Sequence, residues 1–157
     1  RCAKNRDLLW WREDAMDIAI STNPSDVTTE QVAAIYASVG FGTEEDYIHR
    51  PDFITQHFGP GVFAAFAFMG ERPVGLLRAF SDGWMVAWVA ELCVMPDHQR
   101  RGIGTALMDV ANRRFADMAL YVDAFAENAT FFNQRGLRSR SILVPCTRGP
   151  LKRSLAA

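Results

Sequence analysis

The segment Val94–Gly104 holds the residue types in this chain that are best suited to binding a ligand. It reads VMPDHQRRGIG, ends an apolar run and opens an amphipathic one. The N-terminus of a helix offers unpaired N–H donors and a partial positive charge, and glycines there let the backbone approach a ligand closely. With Arg100 and Arg101 at its mouth, such a loop predicts a site for a pyrophosphate group.

Two better-known phosphate loops do not fit this segment. A Rossmann fingerprint needs a third glycine, and Leu107 occupies that position. A Walker loop needs a Lys-Ser/Thr pair, which the segment lacks. Taken alone, Gly102 and Gly104 could equally be a simple turn before a helix.

Glu91 is the only residue between Trp84 and Val94 whose side chain is charged at neutral pH. A carboxylate in so apolar a run is costly to bury unless it is paired or reaches water. Two roles remain open on these grounds. Glu91 could take part in proton transfer at a functional site, or it could be a structural partner for Arg78 on the neighbouring predicted strand.

The hydrophobic pattern predicts the elements that position these residues. The predicted strands are Met16–Ile20, Val62–Met69, Val74–Phe80, Trp84–Val94, Leu120–Ala124 and Leu137–Val144. The predicted helices run from a capping box of Thr28 and Gln31 to Gly40, along the apolar face Ile103, Ala106, Leu107, Val110, Ala111 and Phe115, and over Asn128–Gln134. Their order predicts a mixed α/β or α+β sheet in a single domain over residues 1–157.

The run Trp84–Val94 is apolar on both of its alternating faces. One face would carry Met85, Ala87, Val89 and Cys93, and the other Val86, Trp88, Ala90, Leu92 and Val94. A strand of this kind is predicted to be central and covered on both sides.

Three motifs together resemble one known family. V-x-P-x-x-Q-x-x-G-x-G, read from Val94 to Gly104 and followed by an amphipathic helix, resembles the acetyl-CoA signature of the GNAT N-acetyltransferase superfamily. Ala129–Leu137 is similar to the family's A-x-F-Y-x-x-x-G-F segment. Val74–Asp82 is similar to the V-G-x-x-R-x-x-S-D hairpin of a branch that includes plant serotonin N-acetyltransferases.

The resemblance implies a GNAT-like fold and an acetyl-CoA-dependent N-acetyltransferase. The expected fold has a mixed, mostly antiparallel central sheet with splayed parallel strands, flanked by helices. The pantetheine arm would enter the gap between those strands, and the pyrophosphate would meet backbone amides. The implied cofactor-binding residues are Cys93, Val94, Gln99, Arg100, Arg101, Gly102, Ile103, Gly104, Thr105, Asn128 and Phe132.

The same resemblance gives Glu91 a catalytic role and leaves the general acid open. Glu91 would remove a proton from the attacking primary amine, directly or through water. Phe132 falls where the family commonly has a tyrosine proposed to protonate the departing thiolate, and a phenyl ring cannot donate a proton. Tyr36, Ser81 and Tyr121 are the other candidates, and Asn128 could instead be a helix N-cap.

The composition of the chain argues against several classes of binding partner. The 157 residues carry a formal net charge of −1, which argues against nucleic acid or an anionic membrane as partner. No apolar run reaches membrane-spanning length, and no signal-peptide pattern opens the chain, which starts at Arg1. Three cysteines without zinc spacing predict no metal site and a reducing, cytoplasmic setting.

Several questions stay open at the level of sequence. A non-catalytic acyl-CoA-binding sensor is the alternative to an enzyme, and a nucleic-acid-binding domain is a more distant one. The acceptor could be a small amine, such as an arylalkylamine, a polyamine or an amino-sugar antibiotic, or a peptide amine at a protein N-terminus or lysine. Aromatic residues that could line its pocket, with core packing as the default, are Trp10, Trp11, Phe41, Tyr47, Trp84 and Trp88. Dimerisation is common in the family but leaves no signal here.

Overall fold

The computed structural model describes residues 9–11, 18–142 and 146. They fall into two compact units, one ending at Val122 and one beginning at Asp123. Among the described residues, no helix is long and apolar enough to cross a membrane.

The described residues of the first unit form six strands and four helices. The strands are β1 (Leu9–Trp11), β2 (Ile18–Ser21), β3 (Val62–Met69), β4 (Arg72–Ser81), β5 (Val86–Val94) and β6 (Ala119–Val122). The helices are α1 (Thr29–Ser38), α2 (Glu45–Ile48), α3 (Phe53–His57) and α4 (Ile103–Arg114). Short 3₁₀ helices cover Pro24–Asp26 and Pro96–His98. The second unit holds a 3₁₀ helix, Ala126–Asn128, and helix α5 (Ala129–Asn133).

The strands form one sheet in the order β1-β2-β3-β4-β5-β6. Every neighbouring pair is antiparallel except β5 and β6, which run parallel and are joined through α4. A parallel pair requires a crossover connection of this kind. The predicted mixed, mostly antiparallel sheet flanked by helices is therefore confirmed.

Helix α1 begins at the predicted capping box. The Thr28 Oγ1 accepts from the Gln31 amide at 3.3 Å, and the Gln31 Oε1 accepts from the Thr28 amide at 2.9 Å. The helix ends two residues before Gly40, whose positive φ of 83° suits a glycine after a helix C-terminus. Both ends of α1 therefore follow from local sequence.

The two faces of the sheet pack against different helices. Helix α4 covers one face with its predicted apolar side, all of it buried, and Phe115 meets Phe63 edge to face with ring centroids 5.3 Å apart. The other face carries a core that includes residues of α1 and α3: Val27, Val32, Ile35, Tyr36, Phe53, Phe58, Ala64, Phe66, Leu76, Cys93 and Met95.

A β-bulge in β5 changes which residues share a face. Arg78 lies opposite Glu91, but its neighbour Ala79 lies opposite Val89, so Ala90 is an extra residue on β5. The extra residue places Glu91 on the same face of the sheet as Trp88, whereas simple alternation would place it on the opposite face.

The bulge corrects the predicted faces of β5. Residues directly opposite each other on neighbouring strands lie on the same side of the sheet. Trp88, Glu91 and Cys93 therefore share the α1 face with Phe80, Arg78 and Leu76, while Ala87, Val89 and Leu92 face α4. The predicted cover on both sides is also wrong at the start of β5, where Val86 is 40 % and Trp88 43 % exposed.

Three further element predictions need adjustment. Leu9–Trp11 forms a strand that the sequence did not indicate, and β2 extends one residue past the predicted Ile20, with Met16 and Asp17 outside the described residues. The predicted strand Leu137–Val144 is wrong over residues 137–142, which form irregular chain and a turn, and its last two residues lie outside the described part. Gly136 has a φ of 88° and follows α5, as predicted for a helix stop.

Candidate active site

The site begins where β5 loses its parallel neighbour. The β5–β6 ladder ends with Val89 opposite Val122, while β5 continues to Val94. Among the described residues, no strand pairs with β5 on that side beyond Val89. An unpaired strand edge presents backbone N–H and C=O groups to a ligand.

Hydrogen bonds at the end of β5 set the direction of these groups. The Met95 amide donates to the Val74 carbonyl on β4 at 2.9 Å. The Val94 carbonyl instead accepts from the Gln99 Nε2 at 3.0 Å. Because successive residues of a strand direct their backbone groups to opposite sides, the Val94 N–H is directed away from β4, toward the open edge.

The loop after β5 ends in a glycine that starts α4. A 3₁₀ turn over Pro96–His98 leads to Arg100, which has a positive φ of 62°, and then to Gly102, which has a φ of 78°. Gly102 is the N-cap residue of α4 and has no side chain with which to cap it. The first-turn amides of this 12-residue helix are the groups that a bound anion would use.

The predicted cofactor residues of this loop take up different positions. Arg100 and Arg101 are exposed at the surface, and Thr105 and Gly104 are half-buried in the first turn of α4. Ile103 is 1 % exposed, so its side chain packs in the core and is not available to a ligand. The Gln99 side chain ties the loop to the end of β5 through its bond to Val94.

Cys93 and Gly75 shape the neighbouring part of the site. Cys93 is buried, and burial, reinforced by the charge of Glu91, raises the pKa of its thiol to about 12. The thiol therefore stays protonated and is not a nucleophile near neutral pH. A Cβ on Gly75 would lie 2.9 Å from the Cys93 carbonyl oxygen and 3.2 Å from the Ile103 Cγ2, so only glycine allows this close approach.

Glu91 is held by Arg78 in a two-point contact. The Arg78 Nε donates to the Glu91 Oε2 and its Nη2 to the Oε1, each at 2.5 Å, with 13 % and 19 % of the two side chains exposed. Burial alone would lower the pKa of Arg78, but the bonds to Glu91 and its charge outweigh that effect and raise it. The predicted structural partnership is confirmed, and the pair is accessible from solvent.

A second polar pair lies on the same face of the sheet and was not foreseen. The Tyr36 hydroxyl lies 2.8 Å from the His57 Nε2. Burial, and then the charge of Glu91, raises the pKa of Tyr36, while burial and the positive charge of Arg78 lower the pKa of His57 to about 4. Both side chains are therefore neutral at neutral pH.

No sequence signal could have joined this second pair. Tyr36 comes from α1 and His57 from α3, 21 positions apart. Phe53 stacks on the His57 ring at 4.8 Å, which fixes the ring in place. Only the packing of both helices on the sheet brings the two polar groups together.

In the second unit, Asn128 and Phe132 are described by themselves. Asn128 is exposed and occupies the predicted N-cap position of α5, although its side chain makes no capping hydrogen bond. Phe132 is buried and packs edge to face on Phe131, with ring centroids 5.0 Å apart. A packing role for Phe132 is what its chemistry allows.

The aromatic residues considered for an acceptor pocket separate into two sets. Phe41, Trp84 and Trp88 are exposed, whereas Tyr47 packs against the core and meets Phe53 edge to face. The side chains of the other two tryptophans lie outside the described residues. Among the described residues, no group of three or more His, Cys, Asp or Glu side chains could hold a metal ion.

The open edge of β5 beyond the parallel β5–β6 ladder and the glycine N-cap of α4 are features that the resemblance to the GNAT superfamily predicts. The chain belongs to the acetyltransferase (GNAT) family, whose sequence model matches residues 27–135. Members of this family transfer acetyl groups and use acetyl-CoA as co-substrate. No curated protein matches the chain.

Solved structures agree with the family. A GNAT acetyltransferase from Streptococcus pneumoniae TIGR4 is similar at 25 % identity and a TM-score of 0.66, covering 84 % of this chain and 99 % of its own. An aminoglycoside acetyltransferase from an uncultured soil metagenomic sample is similar at 18 % identity and a TM-score of 0.67, covering 86 % and 95 %. Glucosamine-6-phosphate N-acetyltransferase from Arabidopsis thaliana is similar at 12 % identity and a TM-score of 0.63, covering 83 % and 97 %.

Proposed function

We propose that this chain is an N-acetyltransferase that moves an acetyl group from acetyl-CoA to a primary amine by direct attack. The observation that carries the proposal is the continuity of two features. The open edge of β5, which ends at Val94, runs through one loop into the uncapped first turn of α4 at Gly102. An acyl thioester and a diphosphate on one ligand need these two features close together.

The backbone groups fit the two ends of such a ligand. Acetyl-CoA supplies the thioester that is attacked and the diphosphate that anchors it. The amides at the start of α4 are suited to the diphosphate, with Arg100 and Arg101 adding positive charge. The Val94 N–H is suited to donate to the carbonyl oxygen and to stabilise the negative charge that develops on it.

Glu91 is the residue we propose to accept the amine proton. Each of its oxygens accepts one hydrogen bond from Arg78, and a carboxylate has about four acceptor sites in all. The remaining sites can accept an N–H of the amine or of a bridging water. The rival role is purely structural, and the two-point contact with Arg78 favours it as strongly as it favours positioning of a base.

We propose that the thiolate departs without a dedicated acid. Tyr36 is buried, is bound to His57, and has a raised pKa, and the Ser81 hydroxyl donates to the Val86 carbonyl at 3.1 Å within the β4–β5 hairpin. Tyr121 is exposed. Of the three residues named from the sequence as possible general acids, it is the one whose hydroxyl makes no described hydrogen bond within the first unit. Phe132 offers no proton.

The acceptor class is not inherited from the structural neighbours. Two of them carry names that specify an amino sugar phosphate and an aminoglycoside, but at 12 % and 18 % identity they share only the fold. The similarity of the β4–β5 hairpin to plant serotonin N-acetyltransferases also stays a prediction. Its motif residues have local tasks: Arg78 holds Glu91, and the Asp82 Oδ1 accepts three backbone amides of the turn.

A panel assay tests the proposed function. Coenzyme A release is measured with aliphatic, aromatic and polar primary amines, an amino sugar and a lysine peptide. We expect turnover of at least one amine that depends on acetyl-CoA binding. Tight acetyl-CoA binding without turnover of any amine would instead support the acyl-CoA-binding sensor. Cytoplasmic location stays a prediction, tested by fractionation, and the oligomeric state is tested by sedimentation.

A further inference from the structure

Three aromatic side chains form a row across three neighbouring strands. Phe80 on β4 lies opposite Trp88 on β5, and Trp88 lies opposite Tyr121 on β6. Opposite residues have Cβ atoms about 4.5–5.5 Å apart and lie on the same side of a sheet. The Trp88 and Tyr121 rings are stacked, with centroids 6.2 Å apart and planes 27° apart.

The row is open to solvent although it is apolar. Phe80 is 46 %, Trp88 43 % and Tyr121 46 % exposed. Farther along the same face, α1 and α3 cover the sheet, so that Leu76 is 0 % and Cys93 2 % exposed. Large aromatic rings that lie side by side and half in water are unusual on a monomer and mark binding surfaces.

One end of the row is joined to the polar pair of the active site. Arg78 lies two residues before Phe80 on the same face, and its guanidinium carbon lies 4.8 Å from the centre of the Phe80 ring. Glu91 lies opposite Arg78, and the bulge at Ala90 is what keeps Glu91 on the face of Trp88. A flat apolar floor therefore leads to a carboxylate.

We propose that Phe80, Trp88 and Tyr121 form the floor on which the acceptor amine lays an aromatic or otherwise flat apolar body, with its nitrogen at Glu91. This inference rests on the proposed acetyl transfer and adds the substrate class. Amines reach the enzyme largely as ammonium ions, and the faces of aromatic rings attract cations. The apolar floor and the carboxylate at its end match a molecule with an apolar body and one amino group.

The other occupant of an exposed apolar surface would be a second copy of this chain. A dimer contact would need apolar area alone and would not require a carboxylate within the same face. The polar end of the row therefore favours the small amine, and oligomeric state becomes one outcome of the test.

The test compares two tryptophans on neighbouring parts of one hairpin. Trp88→Leu removes the central ring of the row, and Trp84→Leu removes a tryptophan that is 78 % exposed and lies before β5. Binding is measured by ligand-observed NMR with 2-phenylethylamine and with ethanolamine, in the presence of coenzyme A. We expect 2-phenylethylamine to bind the parent and Trp84→Leu, and to lose about five- to tenfold in affinity in Trp88→Leu, in line with the loss of one aromatic contact. The affinity for ethanolamine, which has no apolar body, should not change in either variant.

The binding measurement and the turnover assay answer separate questions. Equal affinity of 2-phenylethylamine for the parent and Trp88→Leu, or no binding to the parent at all, would overturn the floor. A parent that is dimeric by sedimentation and becomes monomeric in Trp88→Leu would overturn it too. Binding that follows the expected pattern without any acetylation would leave the floor standing and contradict the proposed function. Trp88→Phe, which keeps a ring, should bind within twofold of the parent. If Trp88→Leu does not fold, Tyr121→Leu, which removes the outer ring of the row, takes its place and should weaken the binding of 2-phenylethylamine.

Discussion

The two halves of the candidate active site are built from different materials. The half proposed for acetyl-CoA consists of backbone groups, from the open edge of β5 at Val94 to the glycine-started first turn of α4. The half proposed for the acceptor consists of side chains, the pair Arg78–Glu91 and the aromatic row, with the pair Tyr36–His57 on the same face of the sheet. A backbone site tolerates changes of most side chains but not of its glycines, whereas a side-chain site changes with each residue. Specificity for the acceptor can therefore vary while the cofactor site stays the same.

The largest expected effect comes from placing a carboxylate in the backbone half. Gly102→Glu combines a side chain at a φ of 78° with a negative charge at the proposed diphosphate site. Gly104→Glu places the same charge in the first turn of α4 without the demand on φ. We expect acetyl-CoA to raise the melting temperature of the parent by mass action and to leave both variants unshifted.

A third glycine provides the matched control. Gly83 has a φ of 75° and open space around its Cβ position, so Gly83→Glu imposes a similar backbone strain away from the site. Gly83→Glu should keep the full acetyl-CoA shift. A full shift in Gly102→Glu and Gly104→Glu as well would place the diphosphate elsewhere.

The next largest effect tests the side-chain half. Glu91→Gln keeps the size of the side chain and removes its basic carboxylate. If Glu91 is the base, kcat/KM falls by roughly two orders of magnitude, the lower end of general-base contributions, and the loss shrinks at high pH, where free amine is abundant. Acetyl-CoA affinity should not change, because backbone groups hold it.

The same variant distinguishes the structural role. The Gln amide oxygen can still accept one hydrogen bond from Arg78, but the second bond and the opposite charge are lost in a partly buried position. This loss costs about 1–3 kcal/mol in the free energy of unfolding. The measurement is a pH–rate profile of parent and variant, normalised to folded enzyme that binds acetyl-CoA, together with urea unfolding of both. Equal kcat/KM across neutral and alkaline pH, with lower stability, would leave Glu91 as structure only.

The difference between the halves also explains what the sequence could predict. The course of the loop Val94–Gly104 into α4 could be predicted from its glycine spacing, whereas its role as a cofactor site stays a prediction. The start of α1 could be predicted from its capping box, and the buried face of α4 from its apolar periodicity. The face of the sheet on which Glu91 lies could not be predicted, because one extra residue at Ala90 reverses the alternation on which the prediction depended. Strand and helix packing brings together the Tyr36–His57 pair and the row of Phe80, Trp88 and Tyr121. No local sequence pattern predicts either group.

A smaller effect concerns the free energy of unfolding at acidic pH, to which His57 contributes. The pKa of His57 is lowered to about 4 from 6.5, so the native state holds the neutral ring. Between these two values the unfolded state binds more protons, and stability must fall as pH falls from about 6.5 toward 4. The groups around the ring are Tyr36, Arg78, Glu91 and Arg50. Because the ring is partly exposed, we expect a loss of about 1 kcal/mol, well below what the full shift would give.

A single substitution isolates this contribution. His57→Gln retains hydrogen-bonding capacity toward Tyr36 and cannot titrate in this range. Urea unfolding at pH 4.5 and pH 7 should show a smaller pH dependence in His57→Gln than in the parent. The substitution of exposed His49, which pairs with Glu45 at 2.7 Å, is the control and should leave most of the dependence intact. An unchanged dependence in His57→Gln would assign the acid sensitivity to other groups.

The smallest expected effect is at Phe132, which falls where the resemblance to the GNAT superfamily predicts a tyrosine. If the thiolate leaves without a dedicated acid, Phe132→Tyr adds a hydroxyl that the reaction does not need, and kcat should stay within a few-fold of the parent. If a general acid has merely been lost, restoring it should raise kcat by about tenfold or more, given the usual size of acid catalysis. Because Phe132 is buried beside Phe131, the new hydroxyl must also find a hydrogen-bond partner or lower the stability, so urea unfolding accompanies the rates. Phe131→Tyr, one position earlier and half-buried, is the matched control for adding a hydroxyl to this pair of rings. A large gain in Phe132→Tyr alone would show that the departing thiolate does need a proton donor, and that this chain reacts more slowly for want of one.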